Sequence, residues 1–188
     1  MEARERLART AMELFVARGY DAVSVQEIVE QSGLTKPTLY HHFGNKRGVL
    51  TDIAGRVATC LFETIGDAAA YDGDAPRDLE RLIERLLAFS ERYPIEARLL
   101  LAAQNGPVAS EARGALLPVW DRLSREVEQF FLAASGDHGN MRGREREYTV
   151  SLLGVVFAYA VLRLENKLGH DPTRAHEIMR QFSYGIYS

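Results

Sequence analysis

The sequence is poor in the features of secreted, disulfide-bonded and membrane-spanning proteins. It has one cysteine in 188 residues, so an intramolecular disulfide is impossible, and this usage favours a reducing compartment. The longest uncharged stretch of the C-terminal half, residues 148–162, is shorter than the roughly 20 residues of a typical membrane span. The charged residues after Met1 are unlike the apolar core of a signal peptide. We therefore expect a cytoplasmic protein with no membrane partner.

Catalytic and cofactor signatures are also missing. The sequence has no Ser/His/Asp arrangement, no zinc spacing and no glycine-rich phosphate loop, so we expect neither an enzyme nor a cofactor. His170 and His176 flank a helix start together with Asp171, but six residues apart they do not share a helix face. We therefore interpret them as surface histidines and not as metal ligands. Cys60 lies on an apolar helix side, which favours a core residue over an oxidant sensor.

No segment alternates with the period of a strand, and helical periodicity runs through nearly the whole chain. The sequence thus predicts an all-α fold of about nine helices. The two predicted domains are 1–47, a three-helix unit, and 48–188, a helical body. The later helices are expected at about 45–65, 76–92, 95–104, 109–134, 142–168 and from 172 onward.

The N-terminal region has the local signals of a helix-turn-helix. Ser24-Val25-Gln26-Glu27 reads as a capping box, in which a serine oxygen caps the Glu27 amide and the glutamate reaches back. Gly33 can adopt a positive φ, which allows the chain to turn sharply into the next helix. That helix begins near Thr35, an acceptable N-cap, and Pro37 is tolerated in its first turn.

The helix after Gly33 predicts a face suited to DNA. On a helical wheel, Leu39 and Phe43 mark the core side, and the outward side carries no carboxylate. Base edges and phosphates require this kind of polar, acid-free face in a major groove. The outward and flanking positions are Lys36, Pro37, Thr38, Tyr40, His41 and His42. The alternative is a surface helix that merely lacks charge.

The distribution of charge along the chain supports DNA binding, although the net charge of the whole chain is negative. The formal net charge is −3, which by itself argues against a nucleic-acid partner. Residues 31–51, however, contain no acid, whereas Lys36, Lys46 and Arg47 are cationic. A local basic patch suffices because charges interact over about 8 Å at physiological salt.

Residues 33–47, GLTKPTLYHHFGNKR, resemble the signature of TetR-family transcriptional regulators, and the resemblance covers about the first fifty residues. It implies an N-terminal DNA-binding domain and a C-terminal ligand-binding and dimerisation domain. Val29 departs from the family's usual small alanine. Arg47-Gly48 replaces a commoner acidic residue, which leaves the details of docking open.

The resemblance also assigns roles to residues of the predicted DNA-binding site. Lys36, Pro37 and Thr38 would face bases, whereas Tyr40, His42 and Lys46 would contact phosphates. Ser24 and Gln26 would offer donors to phosphate at the start of the second helix. The predicted DNA-binding set is Ser24, Gln26, Thr35, Lys36, Pro37, Thr38, Tyr40, His41, His42 and Lys46.

The C-terminal body carries two further predicted sites. Large apolar side chains suggest a pocket for an unidentified small hydrophobic ligand, although core packing is the alternative for each of them. That set is Phe62, Leu86, Phe89, Tyr93, Trp120 and Phe157. The last two helices are apolar on two sides, which predicts a homodimer. The expected interface residues are Ser151, Gly154, Ala158, Ile178, Phe182 and Ile186.

These observations predict a sequence-specific DNA-binding regulator. The favoured form is a dimeric repressor that binds a palindromic double-stranded operator and is released by the small ligand. One alternative is a DNA-binding dimer without an effector, acting structurally or constitutively. A helical enzyme with an attached DNA-binding unit would need convergent titratable groups, and the sequence shows none.

Overall fold

The computed structural model describes residues 2–185, and every regular element within that range is helical. The all-α prediction is confirmed. The structure has nine α-helices in its described residues, with a short 3₁₀ turn at Gly139–Met141. They are α1 Ala3–Arg18, α2 Val25–Ser32, α3 Lys36–Phe43, α4 Lys46–Ile65, α5 Ala75–Arg92, α6 Pro94–Gln104, α7 Glu111–Ala134, α8 Glu145–Leu164 and α9 Arg174–Tyr184.

The helix-turn-helix prediction is confirmed at its capping residues. The Glu27 amide donates to Ser24 Oγ at 3.2 Å, and the Ser24 amide donates to Glu27 Oε2 at 2.8 Å. Gly33 ends α2 in the left-handed region, with φ 63° and ψ 31°. The amides of Gly33 and Leu34 donate to carbonyls of the last turn of α2 and form a Schellman motif. This motif depends only on bonds between neighbouring residues.

Helix α8 is shorter than the predicted 142–168. Gly143 has a φ of 77° and precedes the first turn, so the arginine-rich start lies outside the helix. At the other end Asn166 has a φ of 57°, and the Lys167 amide bonds to the Leu162 carbonyl. This is a second Schellman motif, and asparagine is the residue after glycine that best tolerates it. Apolar periodicity alone therefore overestimated the length of this helix.

Helix α9 also begins later than expected. Asp171 accepts from the Thr173 amide at 2.9 Å and so forms a turn, and the helix itself starts at Arg174. The predicted stripe of Ala175, Ile178 and Met179 is buried. Ile186 lies outside the described residues.

The chain divides into two compact units. The first contains the described residues up to Thr59 together with Ile95–Trp120, and α1 packs in it against α2 and α3. The second contains Cys60–Pro94 and the chain from Asp121 onward, and α5 packs in it against α8 and α9. The predicted boundary between residues 47 and 48 falls in the first turn of α4 and stays a prediction.

Among the described residues, α8 is the one helix whose length and apolar composition would allow it to cross a membrane. Leu152, Val156 and Phe157 of this helix are buried against the rest of the chain. A core helix of a globular domain has the same length and composition.

Candidate nucleic-acid interface

A small apolar core fixes the orientation of the helix-turn-helix. Leu7 and Phe15 of α1, Ile28 of α2 and Leu39 of α3 are all at most 2% exposed. Their burial leaves α3 with one side against α1 and α2 and the other side in solvent. Phe43, predicted to face the core, is half-buried.

The outward side of α3 matches the predicted face. Lys36, Pro37 and His41 are exposed, and the Tyr40 ring is 48% exposed. Thr38 and His42 are half-buried at the edges of this face. The side chains thus present an ammonium, a phenol, a hydroxyl and imidazoles without a carboxylate. Such a surface can donate to phosphates and to acceptor atoms on base edges.

Thr35 and Thr38 support the start of this helix. The Thr38 amide donates to Thr35 Oγ1 at 3.4 Å, and the two hydroxyl oxygens lie 2.9 Å apart. Thr35 therefore has a capping role in addition to its predicted place in the interface.

The start of α2 offers a second polar surface beside α3. Ser24 and Gln26 are exposed, as the phosphate-contact prediction requires. The amide of Ser24 and the guanidinium of Arg18 lower the pKa of Glu27 to about 2. Glu27 is therefore an anion at neutral pH, and its charge is paired with Arg18. The Glu27 amide is taken by Ser24 Oγ, whereas the amides of Val25 and Gln26 have no intrahelical acceptor and remain suited to an anion.

Lys46 occupies a more structured position than its sequence context indicated. Its Nζ donates to the carbonyl oxygens of Tyr20 at 3.0 Å and Val23 at 2.9 Å. The same atom lies 4.1 Å from the centroid of the Tyr20 ring, in a cation–π contact. The lysine is half-buried and tied to the turn that leads into α2. No sequence spacing indicated these contacts.

The junction between α3 and α4 is a further feature that sequence reasoning missed. Gly44 ends α3 with a φ of 75°, and Asn45 Oδ1 accepts from the Gly48 amide at 2.8 Å. A Cβ atom on Gly48 would lie 1.9 Å from the Phe43 carbonyl oxygen. The end of the exposed helix and the start of α4 therefore approach too closely for any side chain.

Comparison with known proteins identifies this arrangement. A family model described as bacterial regulatory proteins, tetR family, matches residues 7–53, which span the three helices and the start of α4. The helix-turn-helix region of this chain is therefore a TetR-family domain. The HTH-type transcriptional activator FasR of Mycolicibacterium smegmatis is 28% identical over 184 residues, or 98% of this chain and 82% of that protein. The HTH-type transcriptional repressor BepR of Brucella suis is 29% identical over 132 residues, or 70% of this chain and 62% of that protein.

Solved structures share the fold along the whole chain. AibR in complex with isovaleryl coenzyme A and operator DNA has a TM-score of 0.73 at 18% identity and covers 98% of this chain and 99% of its own. FadR from Bacillus subtilis in complex with stearoyl-CoA has a TM-score of 0.73 at 15% identity, with coverage of 97% and 99%. The TetR-family helix-turn-helix region and the curated relatives make this chain a DNA-binding transcriptional regulator.

The structure distributes the predicted pocket residues over both compact units. Leu86 and Phe89 are fully buried, and the Phe89 ring lies 6.2 Å from that of half-buried Tyr93. The Arg122 guanidinium stacks on the ring of half-buried Phe62 at 3.6 Å. Phe157, at 7% exposed, belongs to the same unit. Trp120 belongs to the first unit, where its indole N–H donates to the Leu100 carbonyl at 3.1 Å.

The predicted interface residues separate into exposed and internal members. Ser151, Gly154 and Ala158 are exposed along one side of α8, and a Cβ on Gly154 would meet open space. Ile178 is fully buried within the chain itself and is therefore not available to a partner. Phe182 is half-buried and packs its ring 6.1 Å from that of Phe131.

The residues weighed as sensors or ligands have other surroundings. Cys60 is buried at 8% exposure on α4. His170 lies 2.9 Å from an Arg163 nitrogen, and His176 lies 2.9 Å from Glu80. The histidines thus have different neighbours. No cluster of three or more His, Cys, Asp or Glu suited to a metal occurs in residues 2–185.

Proposed function

We propose that this regulator is a dimeric cytoplasmic repressor without catalytic activity, bound to a palindromic or nearly palindromic operator and released by an apolar small molecule. The acid-free, solvent-facing side of α3 carries this proposal. In a two-fold dimer the α3 helices would enter successive major grooves, about 34–36 Å apart.

The predicted DNA-contacting residues divide into two roles. Lys36, Pro37 and Thr38, in the first turn of α3, read bases, and His41 lies on the same outward side. The residues that position the protein on phosphates lie around them and carry no sequence information. They are Ser24, Gln26, Thr35, Tyr40, His42 and Lys46.

The homodimer is supported by the exposed side of α8. Small side chains at Ser151, Gly154 and Ala158 permit close approach of a second helix. Val150 and Leu162, at 65% and 39% exposed, add apolar area on this side. We place the partner chain on this surface and the domain boundary near residue 47, with residues 48–188 forming the dimerising and ligand-binding part.

An acyl-bearing molecule is the proposed effector. Two structures with the same fold are complexes with stearoyl-CoA and with isovaleryl coenzyme A. Both ligands join an apolar chain to a polar group, the kind of molecule that an aromatic-lined pocket selects. In this chain the predicted lining is Phe62, Leu86, Phe89, Tyr93, Trp120 and Phe157.

Fluorescence anisotropy with the DNA upstream of the regulator's own gene tests both parts of the proposal. Lys36→Ala and Thr38→Ala should change the preference among operator variants, whereas Lys46→Ala should weaken binding to all DNA and lower the salt slope by about one. Equal affinity of the wild type for native and shuffled upstream DNA would refute operator recognition.

Ligand release is measured in the same assay by titrating acyl-CoAs of increasing chain length. Trp120 emission reports binding independently, because the indole is buried at 7% exposure. Release of DNA together with a Trp120 signal supports the effector; a Trp120 signal without release shows binding without coupling. The full burial of Leu86 and Phe89 favours the second candidate, a dimer without an effector, which predicts no response to any acyl compound.

A further inference from the structure

Tyr20 connects Lys46 to a helix more than sixty residues further along the chain. Its hydroxyl donates to Glu111 Oε2 at 2.7 Å, in the first turn of α7. Its ring lies 4.1 Å from Lys46 Nζ, and its carbonyl accepts from the same ammonium at 3.0 Å. All three residues belong to the first compact unit.

The contacts leave the ammonium little freedom. Lysine has three N–H donors, and the carbonyls of Tyr20 and Val23 take two of them. The Tyr20 ring itself is held edge-on against Phe15, with centroids 5.1 Å apart. Burial and the neighbouring Glu111 carboxylate raise the pKa of Tyr20, so the hydroxyl stays protonated and continues to donate.

The position of the ammonium matters because α2 starts beside it. Val23, whose carbonyl binds Lys46, precedes the N-cap Ser24. The lysine charge therefore lies next to the first-turn amides of α2, whose partial positive charge also favours an anion. A single DNA phosphate would meet both if the turn between α1 and α2 keeps this geometry.

We propose that Tyr20 and Glu111 are positioning residues for DNA binding: the first turn of α7, through the Glu111–Tyr20 hydrogen bond, sets the place of Lys46 and the start of α2 at the phosphate backbone. The inference rests on the proposed phosphate contact of Lys46. It assigns to residues outside the helix-turn-helix signature a part in DNA affinity.

Two variants break the hydrogen bond from its two sides. Tyr20→Phe removes only the hydroxyl, and Glu111→Ala removes the acceptor at an exposed position, so neither requires the core to repack. Tyr71→Phe is the matched control, because it removes a tyrosine–carboxylate bond to Asp137 of 2.9 Å in the other compact unit. Affinity is measured for upstream DNA and for an unrelated duplex at low salt, with the melting temperature of each variant.

Each of the two variants should weaken binding to both duplexes about three- to tenfold, the net value of an ordinary hydrogen bond, because the bond acts on DNA only through the position of Lys46. Both duplexes respond because phosphate contacts are independent of sequence. The double variant should lose no more than either single variant. In a Lys46→Met background, Tyr20→Phe should cause no further loss, whereas a merely structural effect would add to it. Tyr71→Phe should bind like the wild type.

Wild-type affinity in Tyr20→Phe, or additive losses with Lys46→Met, would overturn the inference while leaving operator binding intact. A wild type that binds neither duplex would instead refute the proposed DNA contacts themselves. Equal losses in Tyr71→Phe and Tyr20→Phe would also overturn the inference, because they would show a general response to a lost tyrosine hydroxyl.

Discussion

Replacing Gly48 with alanine tests how closely α3 and α4 approach at their junction. A Cβ at this position would lie 1.9 Å from the Phe43 carbonyl oxygen and 2.9 Å from its carbonyl carbon. Real Cβ atoms essentially never come within 3.0 Å of another heavy atom, so the two backbones must separate by at least 1.1 Å. Both obstructing atoms are backbone, so no side-chain rotation can relieve the overlap.

Two opposing terms set the expected magnitude. Overpacking costs about 1–3 kcal/mol, and the upper end applies here because the obstacle is rigid. Alanine in place of a helical glycine recovers about 0.5–1 kcal/mol of backbone entropy. The net loss should be about 2 kcal/mol, which corresponds to a fall in melting temperature of about 4–8 °C for a chain of this size.

Gly55→Ala provides the matched control on the same helix. A Cβ at Gly55 has no heavy atom within 4 Å, so only the entropy term applies and the melting temperature should rise. Thermal unfolding followed by circular dichroism measures both variants. Operator binding should weaken in Gly48→Ala alone, because the displaced carbonyl belongs to the last residue of α3.

A Gly48→Ala protein that melts at or above the wild-type temperature would refute this reasoning. It would show that the junction can open without cost, and that the close approach at Phe43 does not constrain α3.

Three other expectations follow from particular contacts. Ser24→Ala removes the cap on the Glu27 amide and should cost about 1 kcal/mol in chemical denaturation. The pKa of Glu27 is lowered from 4.5 to about 2, chiefly by the Ser24 amide and Arg18, and the variant keeps both groups; wild type and variant should therefore lose the same Glu27 contribution as the pH falls from about 4.5 toward 2, and a difference between them that vanishes at low pH would contradict this. Arg56→Met removes the ion pair to Glu96, which is 5% exposed, and should lower the free energy of unfolding by about 2–3 kcal/mol; an unchanged denaturation midpoint would contradict it. Gly154→Leu should shift sedimentation from dimer toward monomer, and a variant as dimeric as the wild type would place the interface elsewhere.

The sequence alone was enough for the features that depend on neighbouring residues. The capping box at Ser24, the left-handed turn at Gly33 and the cap at Thr35 each rest on hydrogen bonds across a few residues, so their spacing predicts them. The outward side of α3 was predictable for the same reason, because one buried residue, Leu39, fixes the rotation of a short helix.

Apolar periodicity was less reliable at the ends of helices and on their faces. It extended α8 beyond both of its ends, because Gly143 and Asn166 stop it through backbone angles that hydrophobicity does not encode. It also could not say which apolar side meets the chain's own core. Ile178 turned out to be internal, whereas Gly154 is exposed.

Only the tertiary structure could bring Tyr20, Lys46 and Glu111 together. The hydroxyl and the carboxylate that it binds are 91 residues apart, and neither residue belongs to a motif that spacing could detect. The close approach of Gly48 to Phe43 likewise depends on how α3 and α4 meet. Local chemistry in the sequence determined that this chain carries a DNA-binding helix-turn-helix, and long-range packing decided which residues outside it hold that surface in place.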